Sequence, residues 1–170
     1  MSVVEHASAR IIGRENISFG GPVLIDDFVL VIARETITIG DFVHLACFSS
    51  ITGGERVQIG DFSAVSQGAR LLTGTDDFTG WGFGNSTVDE TFRNTTRAPI
   101  SLGRFCIVGA NAVVLPGVQI GEGATIGAGT VVTRDLEPWG VYLGNRRIRD
   151  RDRAGVLENH RRFEQQRQSR

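Results

Sequence analysis

The hydrophobic positions of this chain recur at a spacing that neither a helix nor an ordinary strand provides. Leu102, Val108, Val114, Ile120, Ile126 and Val132 each follow the last by six positions. Helices repeat at about 3.6 residues and strands at 2. A period of six therefore implies a unit of one short strand plus a turn. Small residues follow most of these aliphatics, as in Val108-Gly109-Ala110, Ile120-Gly121-Glu122-Gly123 and Ile126-Gly127-Ala128-Gly129. The pattern predicts an all-β, parallel β-helix: three hexads close one triangular coil, and the aliphatic side chains stack down its inside. A β-sandwich with frequent turns is the competing architecture, but its strands alternate at 2 and hold no six-residue register.

The first half keeps this register with a stutter. Ile11, Ile17, Ile25, Val31, Ile39, Leu45, Ile51, Ile59, Val65 and Leu71 are separated by six or by eight. The sequence assigns the two extra residues of each longer step to Val23-Leu24, Ile37-Thr38 and Val57-Gln58. Three near-copies follow: Ile25-Asp26-Asp27-Phe28, Ile39-Gly40-Asp41-Phe42 and Ile59-Gly60-Asp61-Phe62. Gly and Asp suit the tight corners of such a coil because they tolerate turn dihedrals.

Along the chain, residues 1–10 read as an irregular cap and 11–74 as the first block of coils. Residues 75–99 break the repeat with Thr75-Asp76-Asp77-Phe78-Thr79-Gly80-Trp81-Gly82-Phe83, running on to Arg97-Ala98-Pro99. An excursion of this length inside a compact domain is usually functional or disordered, and its aromatics and mixed charges favour the functional reading. The register resumes near Ile100 and runs to Val132. The β-helix domain is thus expected over residues 1–147, followed by a tail over 148–170 that holds a short, mostly solvated helix from about Arg151 to Gln168.

Size and charge narrow the function. A chain of 170 residues is one domain by length. Its net charge of −1 gives no global attraction to nucleic acid or anionic membrane. No apolar run approaches the ~20 residues of a membrane span, and the N-terminus lacks a secretory apolar segment. Cys47 and Cys106 lie inside repeat segments and read as reduced core residues of a cytoplasmic protein. The three histidines and two cysteines show no metal-ligand spacing, so no metal is expected. A prism of this kind leaves flat faces open, and closed cyclic symmetry is the usual result, here a homotrimer with clefts between neighbours.

The segment Ile107-Val108-Gly109-Ala110-Asn111-Ala112-Val113-Val114-Leu115-Pro116-Gly117-Val118-Gln119-Ile120-Gly121 resembles the hexapeptide-repeat acyltransferases. It is most similar to sugar acetyltransferases of the galactoside and maltose type and to their relatives in polysaccharide synthesis. Ile126-Gly127-Ala128-Gly129-Thr130-Val131-Val132-Thr133-Arg134-Asp135 continues the likeness, which covers about residues 11–147. The resemblance implies a left-handed β-helix, a homotrimer with active sites between subunits, and acetyl-CoA lying along the C-terminal coils. It places the pantetheine arm against Gly109, Ala110 and Ala128, with Thr133 and Arg134 near the cofactor. Arg146 and Arg147 are candidates for the cofactor phosphates, since guanidinium forks suit phosphate oxygens. The chain departs from the family in running Gly144-Asn145 straight into Arg146-Arg147.

The larger departure is catalytic. By repeat counting, the family's usual catalytic histidine falls on Asp76, within Thr73-Gly74-Thr75-Asp76-Asp77. Acyl transfer from a thioester needs alignment, proton removal and oxyanion stabilisation. Of the three histidines, His6 and His160 lie in the terminal segments. His44, at the end of Ile39-Gly40-Asp41-Phe42-Val43-His44, is read as a corner residue and as a base oriented by Asp76 or Asp77. Direct use of Asp76 is the rival, and it suits an amine better than a hydroxyl, because an amine attacks first and loses its proton later. Trp81 and Phe83 are candidates to stack on a sugar ring. Asp89, Arg93, Asn94 and Arg97 are candidates for its hydroxyls or a nucleotide diphosphate.

The sequence thus points to an acetyl-CoA-dependent transferase acting on a hydroxyl of a sugar or nucleotide-sugar in surface polysaccharide synthesis. The amine of a nucleotide-linked amino sugar is the alternative acceptor. A non-catalytic β-helix assembly module is the alternative from another class, and coenzyme A binding separates it from both.

Overall fold

The computed structural model describes residues 3–169. It is a parallel β-helix of about seven turns, as the six-residue period requires, with one helix at its C-terminal end. Short strands form three parallel ladders, one per face of a triangular prism. The first face holds Val23–Ile25, Val43–Leu45, Ala64–Val65, Ile107–Val108 and Thr125–Ile126. The second holds Leu30–Ile32, Ser50–Thr52, Arg70–Leu72, Val113–Val114 and Val131–Val132. The third holds Ile17–Phe19, Ile37–Ile39, Val57–Ile59, Ile100–Leu102 and Gln119–Ile120. Val3–Glu5 already pairs with Val23–Ile25, so the segment read as an irregular cap begins the first coil.

Register follows the hydrophobic spacing. Val23 pairs with Val43, twenty positions on, whereas Ile107 pairs with Thr125, eighteen positions on. The six aliphatics from Leu102 to Val132 are all buried in one continuous core with Ile25, Val31, Ile39, Leu45, Ile51, Ile59, Val65 and Leu71. Each such side chain contributes roughly 1.5–3 kcal/mol on burial. The longer lower coils carry their extra residues elsewhere than the sequence assigns them. Val23, Ile37 and Val57 are buried strand residues. The surplus sits at the corner between second and third faces, in Arg14–Asn16, 33–36 and 53–56. The excursion over residues 73–99 leaves from that same corner one coil higher.

The other corners differ from expectation in part. At several the left-handed residue is a Phe rather than the Gly or Asp: Phe28, Phe42 and Phe62, each after an Asp, and Phe48 and Phe105 have φ between 57° and 62°, while Gly68, Gly117, Gly123 and Gly129 are the left-handed residues of other corners. This conformation costs a non-glycine residue of order 1–3 kcal/mol, and stacking offsets it. Phe42, Phe62 and Phe105 stack along one corner with centroids 4.9 and 5.4 Å apart, each pair worth about 0.5–1.5 kcal/mol beyond area burial.

The C-terminal helix, Arg153–Gln168, folds back onto this ladder. Phe163 meets Phe42 and Phe62 edge-on at 5.1 and 5.6 Å, and His160 meets Phe62 and Phe105 at 4.8 and 5.2 Å. The Asp152 carboxylate caps its start by accepting from Gly155 N at 2.9 Å. The helix expected to be mostly solvated therefore has one face docked. No described helix is long and apolar enough to cross a membrane.

Candidate active site

The excursion is rooted by backbone before any side chain takes part. Gly74–Thr75 pairs antiparallel with Thr96–Arg97, closing the loop at its base. Buried Thr73 fastens that base to the coil below: its Oγ1 donates to Thr52 O at 3.0 Å and accepts from Glu55 N at 3.0 Å. Gly53, at φ 113°, lies directly beneath, and a Cβ there would stand 2.2 Å from Gly74 N. No other residue type fits that contact.

Within the loop, Asp77 organises the return. Its carboxylate accepts from Gly80 N at 2.7 Å, Gly82 N at 3.2 Å and Asn94 Nδ2 at 3.0 Å. These bonds, the Asn94 amide foremost, hold its pKa below the usual carboxylate value. Asp89 caps the short 3-10 helix Glu90–Phe92 by accepting from Thr91 N and Oγ1 at 2.9 and 2.7 Å. Asp77, Asp89 and Asn94 thus spend their polar atoms on the loop itself.

Asp76 does not. Its carboxylate has no hydrogen-bond or ion-pair partner among the described residues, and it lines a cavity of about 360 Å³ between the loop and the lower coils. Arg34, Arg93 and Arg97 share that cavity, with Gly53, Gly54 and Gly74 on its walls. Arg97 Nε donates to Gly53 O at 3.2 Å. Arg93 Nη2 reaches Glu90 Oε1 at 3.3 Å, while its buried Nε has no partner. Arg34 was missed in the sequence. Its signal was the twenty-residue coil, which sets it one layer beneath Gly54, where a Cβ would stand 3.0 Å from Arg34 Cδ. Trp81 and Phe83 lie farther along the loop and are 68% and 60% exposed, so their rings are free to meet a partner.

His44 does not join this group. It is not a corner residue but the outward residue in the middle of Val43–Leu45, paired in register with Leu24 below and Ala64 above. Its Nε2 lies 2.9 Å from Asp26 Oδ2, and no contact ties it to Asp76 or Asp77. The ladder explains this. Asp26 starts the corner directly after Leu24's strand, whereas Asp76 leaves the prism from the far side of the second face.

The residues proposed for the cofactor fall into separate groups. Gly109, Ala110 and Ala128 share the corner between first and second faces, where Gly129 N donates to Ala110 O at 2.8 Å. A Cβ on Gly129 would meet nothing within 4 Å, so this corner opens outward. Thr133 and Arg134 are exposed at the opposite edge of the second face. Asn145 ties Thr133 to a terminal hairpin, Gly140–Leu143 with Arg146–Asp150, by accepting from Thr133 N at 2.8 Å. Arg146 is exposed on that hairpin. Arg147 is engaged by Asp150 at 2.8 Å and lies over the Tyr142 ring, which raises its pKa. Cys106 is buried, and desolvation pushes its thiol up to about 11. Cys47 is half-buried at a corner rather than in the core.

The fold and sequence of this chain have counterparts among known proteins. The bacterial transferase hexapeptide family (six repeats) matches residues 99–134. The dTDP-4-amino-4,6-dideoxy-D-glucose acyltransferase of Escherichia coli is 36% identical over 137 residues, 80% of this chain and 71% of that protein. The N-acyltransferase AntD of Bacillus cereus, in complex with dTDP and 3-hydroxybutyryl-CoA, superposes with a TM-score of 0.89. It is 30% identical, over 96% of this chain and 88% of that one. Staphylococcus aureus proteins carrying an acetyltransferase name are 51% identical, but over 47 residues, 28% of this chain and 24% of their own length. A galactoside acetyltransferase in complex with coenzyme A, 22% identical with a TM-score of 0.56 over 91% of this chain and 64% of that one, shares the fold. This chain belongs to the hexapeptide-repeat acyltransferases.

Proposed function

We propose that this protein transfers an acyl group from coenzyme A to the amine of a nucleotide-linked amino sugar. The observation that carries the reading is the group at the cavity: an unpartnered carboxylate, Asp76, stands where the resemblance leads one to look for a histidine. A carboxylate is a poor base toward a sugar hydroxyl. It suffices for an amine, whose nitrogen attacks the thioester carbonyl with its own lone pair. The resulting N–H is acidic, so Asp76 accepts that proton and, as the C–S bond breaks, passes it to the departing sulfur, which leaves as the thiol while Asp76 returns to the carboxylate. Of the two acceptors weighed from the sequence, the amine is thus the better supported, and the sugar-nucleotide N-acyltransferase relatives agree with it.

The donor is placed along the corner of Gly109, Ala110 and Ala128, where small side chains admit a thin pantetheine arm. Within one copy the whole second face separates that corner from Asp76. The reading therefore requires a homotrimer in which the donor corner of one copy meets the Asp76 cavity of the next, with Thr133, Arg134 and Arg146 bordering the cleft. Trp81 and Phe83 would close over the sugar. Arg147, already held by Asp150, orders the hairpin and has less to offer a phosphate. His44, oriented by Asp26, is left as a residue of the first face. Both substrates being cytoplasmic metabolites, the enzyme would act in the cytoplasm, in polysaccharide assembly.

The test is Asp76→Asn assayed for coenzyme A release with a nucleotide-linked amino sugar. A loss of roughly 10²–10⁴ in kcat is expected for removal of a general base, with coenzyme A affinity unchanged. Near-normal turnover would remove Asp76 from the chemistry.

A further inference from the structure

We infer that Arg34, Arg93 and Arg97 anchor the diphosphate of the acceptor, and that Arg34 makes this anchor independent of the loop. The inference rests on the acceptor proposed above and adds the residues that select it. Three guanidinium groups share one cavity of about 360 Å³ with only Asp76 and Glu90 as anions. Glu90 is engaged by Arg93, and Asp76 pairs with none of the three among the described residues. Arg97 is fixed through its Nε to a neutral carbonyl, Gly53 O, so its two terminal nitrogens remain available. Arg34 has no side-chain hydrogen bond or ion pair among the described residues. The buried Arg93 Nε likewise has no partner.

Three like charges with only one ion-paired to a carboxylate repel one another, and an anion that enters relieves the repulsion. Guanidinium forks match phosphate oxygens in pairs, which a diphosphate supplies and a free sugar does not. The arginines come from two directions. Arg93 and Arg97 arrive on the loop, whereas Arg34 belongs to the rigid prism, its stem lying in the space that Gly54 leaves free. A diphosphate between them would tie the loop to the coils while the sugar amine faces Asp76. The donor also carries a diphosphate, so the shared chemistry has two sources. The Gly109–Ala128 corner assigned to the donor lies across the second face, which favours the acceptor here.

The experiment titrates the intact protein separately with dTDP, inorganic pyrophosphate and coenzyme A, for wild type, R34A and R97A. Each substitution is expected to weaken dTDP and pyrophosphate about tenfold or more, the loss typical of charge-assisted bonds, while coenzyme A affinity is unchanged. With the full acceptor, R34A should raise KM and leave kcat near the wild-type value, and R34K should recover part of the loss. Because Arg34 bonds to nothing in the loop, R34A reports on the anchor even if R97A disturbs the loop root. Unchanged dTDP affinity in R34A overturns the anchor. Loss of coenzyme A affinity in place of dTDP also overturns it, assigning the cavity to the donor. A protein that binds dTDP through these arginines yet acylates no nucleotide-linked amine would sink the acceptor reading and leave the anchor standing.

Discussion

Adjacent carboxylates at residues 76 and 77 have opposite fates, decided by what each can reach. Asp77 turns into the loop and accepts three N–H groups; Asp76 turns to the cavity and accepts none. Asp77's pKa is lowered on folding, so its contribution is fully present above the unfolded carboxylate value and is lost as pH falls through the lower folded one. Acidification should therefore loosen the loop before the prism. Limited proteolysis is expected to cut within residues 78–95 at low pH while the coils stay intact, and Asp77→Asn should show the same cleavage at neutral pH. Uniform resistance in the variant would mean that Asp77 does not hold the loop. Asp76 and Asp77 were both legible as candidates because repeat counting set the catalytic position of the resembled family on Asp76, with Asp77 beside it. Their division of labour was not, since it depends on Asn94, seventeen positions away. The Asp26–His44 pair was hidden for a similar reason: it joins successive coils, and only the twenty-residue register brings the two side chains together.

The corners are the elements on which the prism and its loop depend. Gly53→Ala would force a Cβ against Gly74 N and would also hold alanine at φ 113°, a strain of roughly 1–3 kcal/mol or more. A fall in melting temperature is expected, along with a larger fall in turnover, because the root of the loop is displaced. Unaltered melting and activity would show that the root is not so tightly made. On the opposite corner, Phe163→Ala removes the edge-on contacts that dock the C-terminal helix. Their loss should cost about 1–2 kcal/mol locally, read as faster hydrogen exchange in residues 153–168 with the prism amides unaffected. The strands were readable from aliphatic spacing, because one buried residue per hexad leaves a clear signal. Glycine corners such as Gly117 and Gly123 were readable, but the Phe corners were not, because left-handed Phe is stabilised by the Phe one coil away and, along one corner, by the helix, neither of which local turn preference can register. The tail likewise looked solvated because its few apolar residues find their partners only in that ladder.

For the whole molecule, the proposed donor corner and Asp76 lie a full face apart, so the proposed chemistry depends on assembly. Sedimentation equilibrium should give a species of three chains. Activity should fall on dilution below the dissociation constant of the assembly, and a fully active monomer would contradict the shared site. The central claim is tested most directly by incubating the protein with acyl-CoA and a dTDP-linked amino sugar, following thiol release and product mass together. The account predicts that one coenzyme A is freed for each sugar amine converted to an amide. Absence of thiol release with every nucleotide-linked amino sugar, or acylation of a hydroxyl while the amine stays free, would contradict it.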